Sequence, residues 1–457
     1  MTAVSARTRA RSAGPSVQEV PRSEALTQAV PETYLESCDP DLGTENVARE
    51  RYTSRAYHDL EVEKVWRKVW QVACWAEDIP EVGDTLVYDI VDDSIVLVRT
   101  APDTIKAYYN SCLHRGTQLV DGSAHLRNLR CPFHGWTWNL DGTVRDIPCK
   151  WDFPQVDDDK FALPEVRVEI WNGWVFITLD NDAKPLADYL GELPSQWAQH
   201  PMTTKYKVAH AAGIVPCNWK VALEAFMEAY HAAATHPQLS LIFGDTNTQY
   251  DVYSSHINRM ISLTGIPSPT VGEWFDQQAI VDAYFAEQEG SDVQLTIPDG
   301  VSARAFIAEV MRQQLSATTG LDTSGLSDAE TLDAAEYGVF PNFLPFIGSG
   351  VPIAYRVRPN GNDPQTAILE VMKFAPLPTE GPRPASAPVF WIEGGDWSTA
   401  PNLGGLGPII NQDMSNVGLM QRGLSTRNGR DVVMSDYQES RIRHFAQTLD
   451  TYLGAAG

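Results

Sequence analysis

Cys112-Leu113-His114 and Cys131-Pro132-Phe133-His134, separated by sixteen residues, are the two segments that decide how this sequence folds. Each segment offers one thiolate and one imidazole as metal ligands. A structural zinc site is the alternative, but zinc fingers group cysteine with cysteine and histidine with histidine. Mixed pairs suit a [2Fe-2S] cluster better, because two cysteines then hold one iron and two histidines hold the other, which raises the reduction potential. The spacing therefore favours an electron-transfer cluster.

The residues around these ligands resemble the two cluster-binding loops of the Rieske iron–sulfur domain. The matching stretches are 110–116, Asn-Ser-Cys-Leu-His-Arg-Gly, and 131–136, Cys-Pro-Phe-His-Gly-Trp. The resemblance implies that the ligands of the cluster are Cys112, His114, Cys131 and His134. The pair Asp141-Gly142 follows between apolar residues, and this pattern predicts a tight β-hairpin directly after the second loop.

The length and composition bound the organisation of the chain. At 457 residues the sequence predicts two to three domains. It contains no run of about 18 apolar residues, so we expect no membrane span. Its first residues carry Arg7, Arg9 and Arg11 without an apolar stretch, which does not match a secretory signal. We expect residues 1–43, which are polar and contain several prolines, to be a disordered tail.

The charge and the cysteines exclude some classes of protein. Six cysteines in a chain of this length do not make a disulfide framework, and a reducing cytoplasm is the expected location. The formal net charge of −24 argues against a nucleic-acid partner, which would require a basic face. Arg115, Arg127 and Arg130 lie in or beside the cluster loops. They are either solvated surface residues or a docking patch for an acidic electron donor.

The pattern of apolar residues predicts three further regions after the tail. Residues 44–75 have the apolar spacing of a helix, and we expect this segment to pack on the larger domain. Residues 76–184 contain short alternating runs separated by turn signals, which indicates a small all-β domain carrying the two cluster loops. Residues 185–457 mix helical segments with antiparallel strands. The predicted fold class is therefore α+β.

A second group of candidate ligands lies on the predicted helix 218–231 and just beyond it. Three residues advance an α-helix by about 300°, so Glu228 and His231 share a face. His236 is about 500° from His231 and cannot converge with it on a regular helix. Pro237 disfavours helical dihedrals at His236, which predicts a break in the helix there. Two histidines with a carboxylate suit non-haem iron, although isolated histidines are more often structural or surface residues.

With both groups in view, the chain from about residue 45 resembles the oxygenase component, the α subunit, of the Rieske non-haem iron oxygenases of the aromatic ring-hydroxylating family. The resemblance implies a catalytic domain in which helices wrap an antiparallel sheet in a helix-grip fold. It implies one mononuclear Fe(II) held by His231, His236 and Asp413 in addition to the cluster. Composition alone would not select Asp413 among 59 acidic residues. Glu228 is implied as a catalytic bridge between the iron of one subunit and the cluster of its neighbour.

The same resemblance implies the partners and the reaction. Electrons would come from NAD(P)H through a separate reductase, with or without a ferredoxin, and O2 would be the co-substrate. A homotrimer is implied, with or without a small β subunit. Many ring-hydroxylating relatives carry Asp where this chain has Glu228, whereas Glu is familiar there among oxygenases of quaternary ammonium compounds. Those relatives often carry Asn where this chain has Ala225, so the substrate class stays open.

Four apolar residues are candidates for the substrate pocket, although such residues more often belong to the core. They are Phe226, Met227, Phe340 and Phe343. An apolar lining favours mono- or cis-dihydroxylation of a hydrophobic aromatic or alicyclic substrate. The first alternative is oxidative N- or O-demethylation of a quaternary ammonium or methoxy compound, for which an aromatic cage would be expected. The second alternative is an electron carrier without oxygenase activity.

Overall fold

The computed structural model describes residues 12, 14–39, 41–272, 275–286 and 295–454, and it divides into two compact units. The first, called the β unit here, comprises Asp59–Tyr189 with Pro359–Asp363. The second, the α+β unit, comprises Met1–His58, Leu190–Arg358 and Pro364–Gly457. Within the described ranges, no helix is both long and apolar enough to cross a membrane.

The β unit consists of two antiparallel sheets, as its alternating sequence predicts. Its strands are β1 (Gln71–Trp75), β2 (Asp84–Ile90), β3 (Asp93–Ala101), β4 (Thr104–Tyr109), β5 (Ala124–His125), β6 (Leu129–Arg130), β7 (Thr137–Trp138), β8 (Val144–Asp146), β9 (Glu165–Trp171) and β10 (Trp174–Thr178). Seven strands form a sheet in the order β1-β10-β9-β4-β3-β2-β5, and β6-β7-β8 form a smaller one. The hairpin predicted after the second cluster loop is confirmed as β7 paired with β8.

The α+β unit is built on one eight-stranded sheet in the order β12-β13-β14-β15-β16-β17-β11-β18. Its strands are β11 (Lys205–Val215), β12 (Gln249–Val252), β13 (Ile257–Ser262), β14 (Ala334–Val339), β15 (Phe343–Ile347), β16 (Ile353–Asn360), β17 (Asp363–Pro376) and β18 (Phe390–Trp391). Strand β18 runs parallel to its neighbour, β11. The pairs β11–β17, β12–β13, β13–β14, β14–β15 and β15–β16 are antiparallel. The predicted α+β class is confirmed.

Thirteen α-helices occur in the described ranges. They are α1 (Glu19–Glu24), α2 (Glu32–Leu35), α3 (Glu50–Thr53), α4 (Arg55–Glu61), α5 (Leu186–Leu190), α6 (Leu193–Gln196), α7 (Trp219–Glu224), α8 (Ala232–Thr235), α9 (Gln277–Ala286), α10 (Ala303–Thr319), α11 (Asp328–Leu332), α12 (Leu406–Leu424) and α13 (Ser440–Leu453). Helix α12 carries Asp413.

The structure differs from the sequence-based description of residues 44–75. Helices α3 and α4 continue into a π-helical turn at Val62–Trp66, but Gln71–Trp75 is a fully buried strand that pairs with β10. The β unit therefore begins at Asp59 rather than at residue 76. Apolar residues at helical spacing run up to Trp70, and a short apolar run such as 71–75 does not distinguish a buried strand from a buried helix.

The expectation of a disordered tail over 1–43 is wrong for residues 14–39. These residues form α1 and α2, and Tyr34 is completely buried. Glu24 forms an ion pair of 2.6 Å with Arg304, which is itself buried. The partners of this segment lie hundreds of residues later in the chain, so no local pattern of the tail indicates its order. Residues 1–11 lie outside the described part.

Candidate metal sites

Both cluster loops have the same backbone geometry. In the first, the amide of Gly116 donates to the carbonyl of Cys112 at 2.9 Å; in the second, that of Gly135 donates to Cys131 at 3.1 Å. Both glycines have positive φ, 80° and 78°, which side-chain-bearing residues adopt only with strain. Asn110, buried at the start of the first loop, accepts the amides of Leu119 and Val120. The loops are therefore fixed mainly by main-chain hydrogen bonds.

The loop side chains suit a metal–sulfur cluster. The thiols of Cys112 and Cys131 are buried, and each influences the pKa of the other. Burial raises the pKa of Cys112, and it would raise that of Cys131 also, but the backbone amides of His134 and Phe133 lower the pKa of Cys131. Amides directed at sulfur stabilise a thiolate. The Nδ1 atom of His114 is buried without a hydrogen-bond partner, as a metal-binding nitrogen would be.

The spacing of the donors separates the two candidate metal sites. Among the described residues, one group of three His, Cys, Asp or Glu side chains has its ligand atoms all within 4.8 Å of one another, namely His231, His236 and Asp413. The four donors of the cluster loops do not converge as tightly. A single tetrahedral zinc would bring its ligands to about 3.5 Å from one another, given metal–ligand bonds of about 2.0–2.3 Å. The wider spacing suits a two-iron cluster.

The outer surface of the cluster loops is basic and apolar. His114 stacks on the buried Trp136 with ring centroids 5.0 Å apart, and His134 is exposed. The guanidinium of Arg115 lies 4.9 Å from the ring centre of Phe133, and its Nη2 lies 3.1 Å from Nε2 of His134. Arg127 and Arg130 are exposed as well.

The segment that carries the second group of ligands leaves helical geometry earlier than expected. Helix α7 is capped at Asn218, whose side chain accepts the amide of Lys220, and it ends at Glu224. Glu228 and His231 thus lie on an irregular turn between α7 and α8. The predicted break at His236 is confirmed: its φ of −122° and ψ of 61° end α8, and Pro237 begins a 3-10 turn.

This turn and α12 bring three donors together. Oδ1 of Asp413 lies 3.0 Å from Nε2 of His236 and 3.4 Å from Nε2 of His231. His236 and Asp413 are buried, and His231 is partly exposed. Two imidazoles and one carboxylate converging from one side match the facial arrangement of non-haem iron sites.

Each imidazole of this triad is oriented by a hydrogen bond at its Nδ1 atom. Nδ1 of His231 donates to Glu228 at 2.7 Å, and the same carboxylate accepts the backbone amide of His231 at 2.9 Å. Nδ1 of His236 donates to the side-chain oxygen of Gln412, also at 2.7 Å. Both Nε2 atoms therefore face Oδ1 of Asp413, where a metal would bind. Such outer hydrogen bonds are the usual means of orienting metal-binding histidines.

The electrostatics of the triad are those of a cation site. Burial lowers the pKa of His231, but its contacts with Asp413 and Glu228 outweigh burial and raise the pKa to about 10. Burial raises the pKa of Asp413, and the two histidines more than compensate, so that its pKa lies below the usual value. The pocket thus favours positive charge between carboxylates, which a divalent cation would supply when bound.

The predicted pocket residue Phe226 belongs to an aromatic cluster. Phe226 stacks on Tyr355 with ring centroids 4.3 Å apart, and Phe346 meets the same ring edge-on at 5.9 Å. Burial raises the pKa of Tyr355, and Asp413 adds to the shift, so the hydroxyl of Tyr355 lies within electrostatic range of the triad. Met227 is buried one residue before Glu228.

Met227 and Phe340, by contrast, line one small cavity of the α+β unit. Phe340 stacks on Tyr452 at 5.4 Å. Phe343 is paired with Arg356, whereas the next residue, Leu344, is paired with Tyr355. Because successive residues of a strand face opposite sides, Phe343 points away from the face that carries Tyr355.

Several residues that shape the triad have no signal in the sequence. Tyr355, Phe346 and Gln238 come from separate elements, and only the folded sheet and turn bring them near the ligands. Tyr250 is a similar case, since its hydroxyl accepts the backbone amide of Ala229 within the ligand turn at 3.1 Å. Gln412 adjoins the predicted ligand Asp413, which is the one local signal that was available.

Comparisons with known proteins agree with this geometry. Residues 196–455 match the family described as ring hydroxylating alpha subunit (catalytic domain), and residues 69–157 match the Rieske [2Fe-2S] domain family. The oxygenase subunit of carnitine monooxygenase from Escherichia coli (strain K12) is 32% identical over 192 residues, 41% of this chain and 51% of that protein. The α subunit of chlorobenzene dioxygenase from Cupriavidus sp. (strain PS12) is 27% identical over 231 residues, 49% of each chain.

The chain spans about half the length of the curated relatives it matches. Its fold extends further. The crystal structure of a quaternary ammonium Rieske monooxygenase with a bound inhibitor superposes with a TM-score of 0.64 at 18% identity, covering 89% of this chain and 95% of that one. At this identity the likeness shows a shared fold and no more.

Proposed function

Because this chain belongs to the family of ring-hydroxylating α subunits, we propose that it is the oxygenase component of a Rieske non-haem iron enzyme. The observation that carries the proposal is the convergence of His231, His236 and Asp413 in a chain that also holds a Rieske-type pair of loops. An electron carrier needs the loops alone. This chain has the triad in addition, where iron would bind with coordination positions left open.

The iron, when bound, supplies the redox chemistry with O2; the protein supplies the surroundings. His231, His236 and Asp413 would hold the metal, and Glu228 fixes the ring of His231. We assign to Glu228 the further role of the hydrogen-bonded link to the cluster of an adjacent subunit. Its support within one chain is the pair of hydrogen bonds to His231, which leaves this carboxylate next to a ligand without being one.

The assembly and the electron supply follow the family. We assign a homotrimer, with or without a β subunit, and electrons from NAD(P)H through a reductase and, where present, a ferredoxin. Arg115, which lies over the exposed ring of Phe133, and the exposed Arg127 and Arg130 would suit an acidic protein partner. The cytoplasm is the proposed location, and its support is that all six cysteines, which lie in the described ranges, are free thiols.

For the reaction, we assign mono- or cis-dihydroxylation of a hydrophobic aromatic or alicyclic substrate. The support is the aromatic cluster of Phe226, Phe346 and Tyr355, in which the hydroxyl of Tyr355 lies within electrostatic range of the triad. Flat aromatic faces bind a planar apolar ring by offset or edge-to-face contacts.

The same cluster favours a second candidate, oxidative demethylation of a quaternary ammonium compound. Aromatic faces attract such cations, and Glu336 adds a buried carboxyl on the strand face that also carries Phe346. Burial raises the pKa of Glu336 to about 7, and the carboxyl is already paired with Arg441 at 2.7 Å. The aromatic rings rather than the acid would therefore have to hold the cation.

Metal analysis tests the proposal directly. An oxygenase requires a third iron per chain in addition to the two of the cluster. The anaerobically reconstituted protein should hold all three, and a value of two would leave the electron-carrier alternative. NADH and O2 consumption with a surrogate reductase, measured on aromatic, methoxy and quaternary ammonium compounds with product analysis, distinguishes hydroxylation from demethylation.

A further inference from the structure

The Nδ1 atoms of the two histidines of the proposed iron site are hydrogen-bonded to chemically different groups. His231 is backed by a carboxylate, Glu228, and His236 by a carboxamide, Gln412, at the same distance of 2.7 Å. Gln412 directly precedes Asp413 on α12. One turn of this helix thus provides an iron ligand and also the acceptor for a second ligand on a different segment.

The orientation of the Gln412 amide is fixed by a neighbouring amide. Nε2 of Gln238 donates to Oε1 of Gln412 at 2.8 Å, and Nε2 of Gln412 donates back to Oε1 of Gln238 at 3.3 Å. Gln238 lies on the 3-10 turn that starts immediately after His236. Oε1 of Gln412 therefore accepts two hydrogen bonds, and a flipped amide would lose both. This pair of hydrogen bonds connects the turn after His236 to the helix that carries Asp413.

We propose that Gln412 is a positioning residue for iron: its amide oxygen, oriented by Gln238, holds His236 in the tautomer whose bare Nε2 faces Asp413. The inference rests on the proposed function, because it takes the triad to be an iron site. An imidazole that binds metal through Nε2 must carry its proton on Nδ1. The oxygen of Gln412 is the acceptor that keeps the proton there.

The neutral charge of Gln412 also fits the site. An iron(II) ion carries two positive charges, and Asp413 and Glu228 supply two negative ones. A second carboxylate behind His236 would leave a partly buried excess charge, which is costly unless paired. An amide provides the acceptor without that charge, so the carboxylate partner is confined to His231, the ring that Glu228 would connect to a neighbouring cluster.

The test is the affinity for ferrous ion alone. Holoprotein stripped of mononuclear iron, with its cluster intact, is titrated anaerobically with Fe(II) against a chelator, and melting is recorded with and without the metal. Gln412→Leu, which removes the acceptor, and Gln412→Asn, which shortens the side chain, should each raise the dissociation constant by about 10–100-fold. Gln412→Glu keeps an acceptor and should restore binding to within about tenfold of the wild type.

Gln421→Leu is the matched control, because Gln421 is a buried glutamine on the same helix that bonds to Asn218 and Tyr52 and not to a metal ligand. It should lower the melting temperature without changing the iron affinity or the rise in melting temperature that iron produces. If folded Gln412→Leu and Gln412→Asn bind Fe(II) as tightly as the wild type, the positioning role is wrong and the proposed function stands. If the wild type itself takes up no third iron, both fail.

Discussion

The two candidate metal sites are built by opposite means. The cluster loops lie within residues 110–136, and main-chain hydrogen bonds at Gly116 and Gly135 shape them. The triad joins His231 and His236 to Asp413, far later in the chain, and side chains such as Glu228 and Gln412 hold its rings. A site whose loops are shaped by their own main-chain hydrogen bonds can be recognised from the spacing of its ligands in the sequence. A site whose ligands and hydrogen-bond partners lie far apart in the sequence can be recognised only once the chain has folded.

The largest expected effect separates the two sites completely. His231→Ala removes one of three donors of the triad, so the third iron should be lost while the visible spectrum of the cluster persists. Iron should fall from about three to about two per chain, and product formation should fall to background. Iron analysis together with visible absorption checks this.

The counterpart is Cys131→Ser, which should bleach the cluster and leave the iron of the triad in place. If either variant loses both metals in a folded protein, metal binding at one site depends on the other, and the two sites are not built independently.

The next effect isolates charge from geometry at Glu228. Glu228→Gln retains an oxygen that can accept Nδ1 of His231, so both metals should stay bound. It removes the negative charge, and coupled turnover should fall by about 10–100-fold, the usual range for groups behind a metal ligand. Iron content and product formed per NADH consumed are the measurements. Normal turnover would show that Glu228 only supports the ring of His231.

The β unit with its cluster loops could be predicted from the sequence to a greater extent than the triad. The strands β2, β3, β4, β9 and β10 and the loop geometry follow from alternation, turn residues and ligand spacing, which are local. The candidate ligand Asp413 was predicted only from a resemblance, because nothing local in the sequence marks it. The early end of α7 could not be predicted from helix-forming residues, since tertiary bonds such as that between Tyr250 and the amide of Ala229 override their propensity.

A smaller effect concerns the pH dependence of the α+β unit. Burial raises the pKa of Glu224 to about 8 despite the hydrogen bond from Tyr52. A carboxyl whose pKa is raised on folding keeps its proton in the native state, so the free energy of unfolding falls as pH rises from about 4.5 to about 8. A pKa difference of this size corresponds to a loss on the order of 5 kcal/mol. Glu224→Gln should flatten this slope, as measured by melting at several pH values.

The exposed Glu309, on α10, provides the control for that slope. Its pKa is lowered by hydrogen bonds from Gln313 and Arg312, so Glu309→Gln should leave the loss between pH 5 and 8 in place. A Glu224→Gln variant that keeps the full wild-type slope would show that this carboxyl is ionised in the folded protein.

The smallest effect tests whether backbone geometry alone maintains the cluster loops. Gly116 has a φ of 80°, and an added Cβ would meet nothing closer than the hydroxyl of Ser111 at 3.8 Å. Gly116→Ala therefore introduces left-handed strain without a steric clash and should destabilise the β unit by about 1–2 kcal/mol. Gly423→Ala, near the end of α12 where nothing lies within 4 Å, should instead stabilise by about 0.5–1 kcal/mol, since alanine is the better helix former. The temperature at which the cluster absorption bleaches should fall for the first variant and not for the second. Equal bleaching temperatures would mean that the bound cluster, rather than the backbone, fixes the loop.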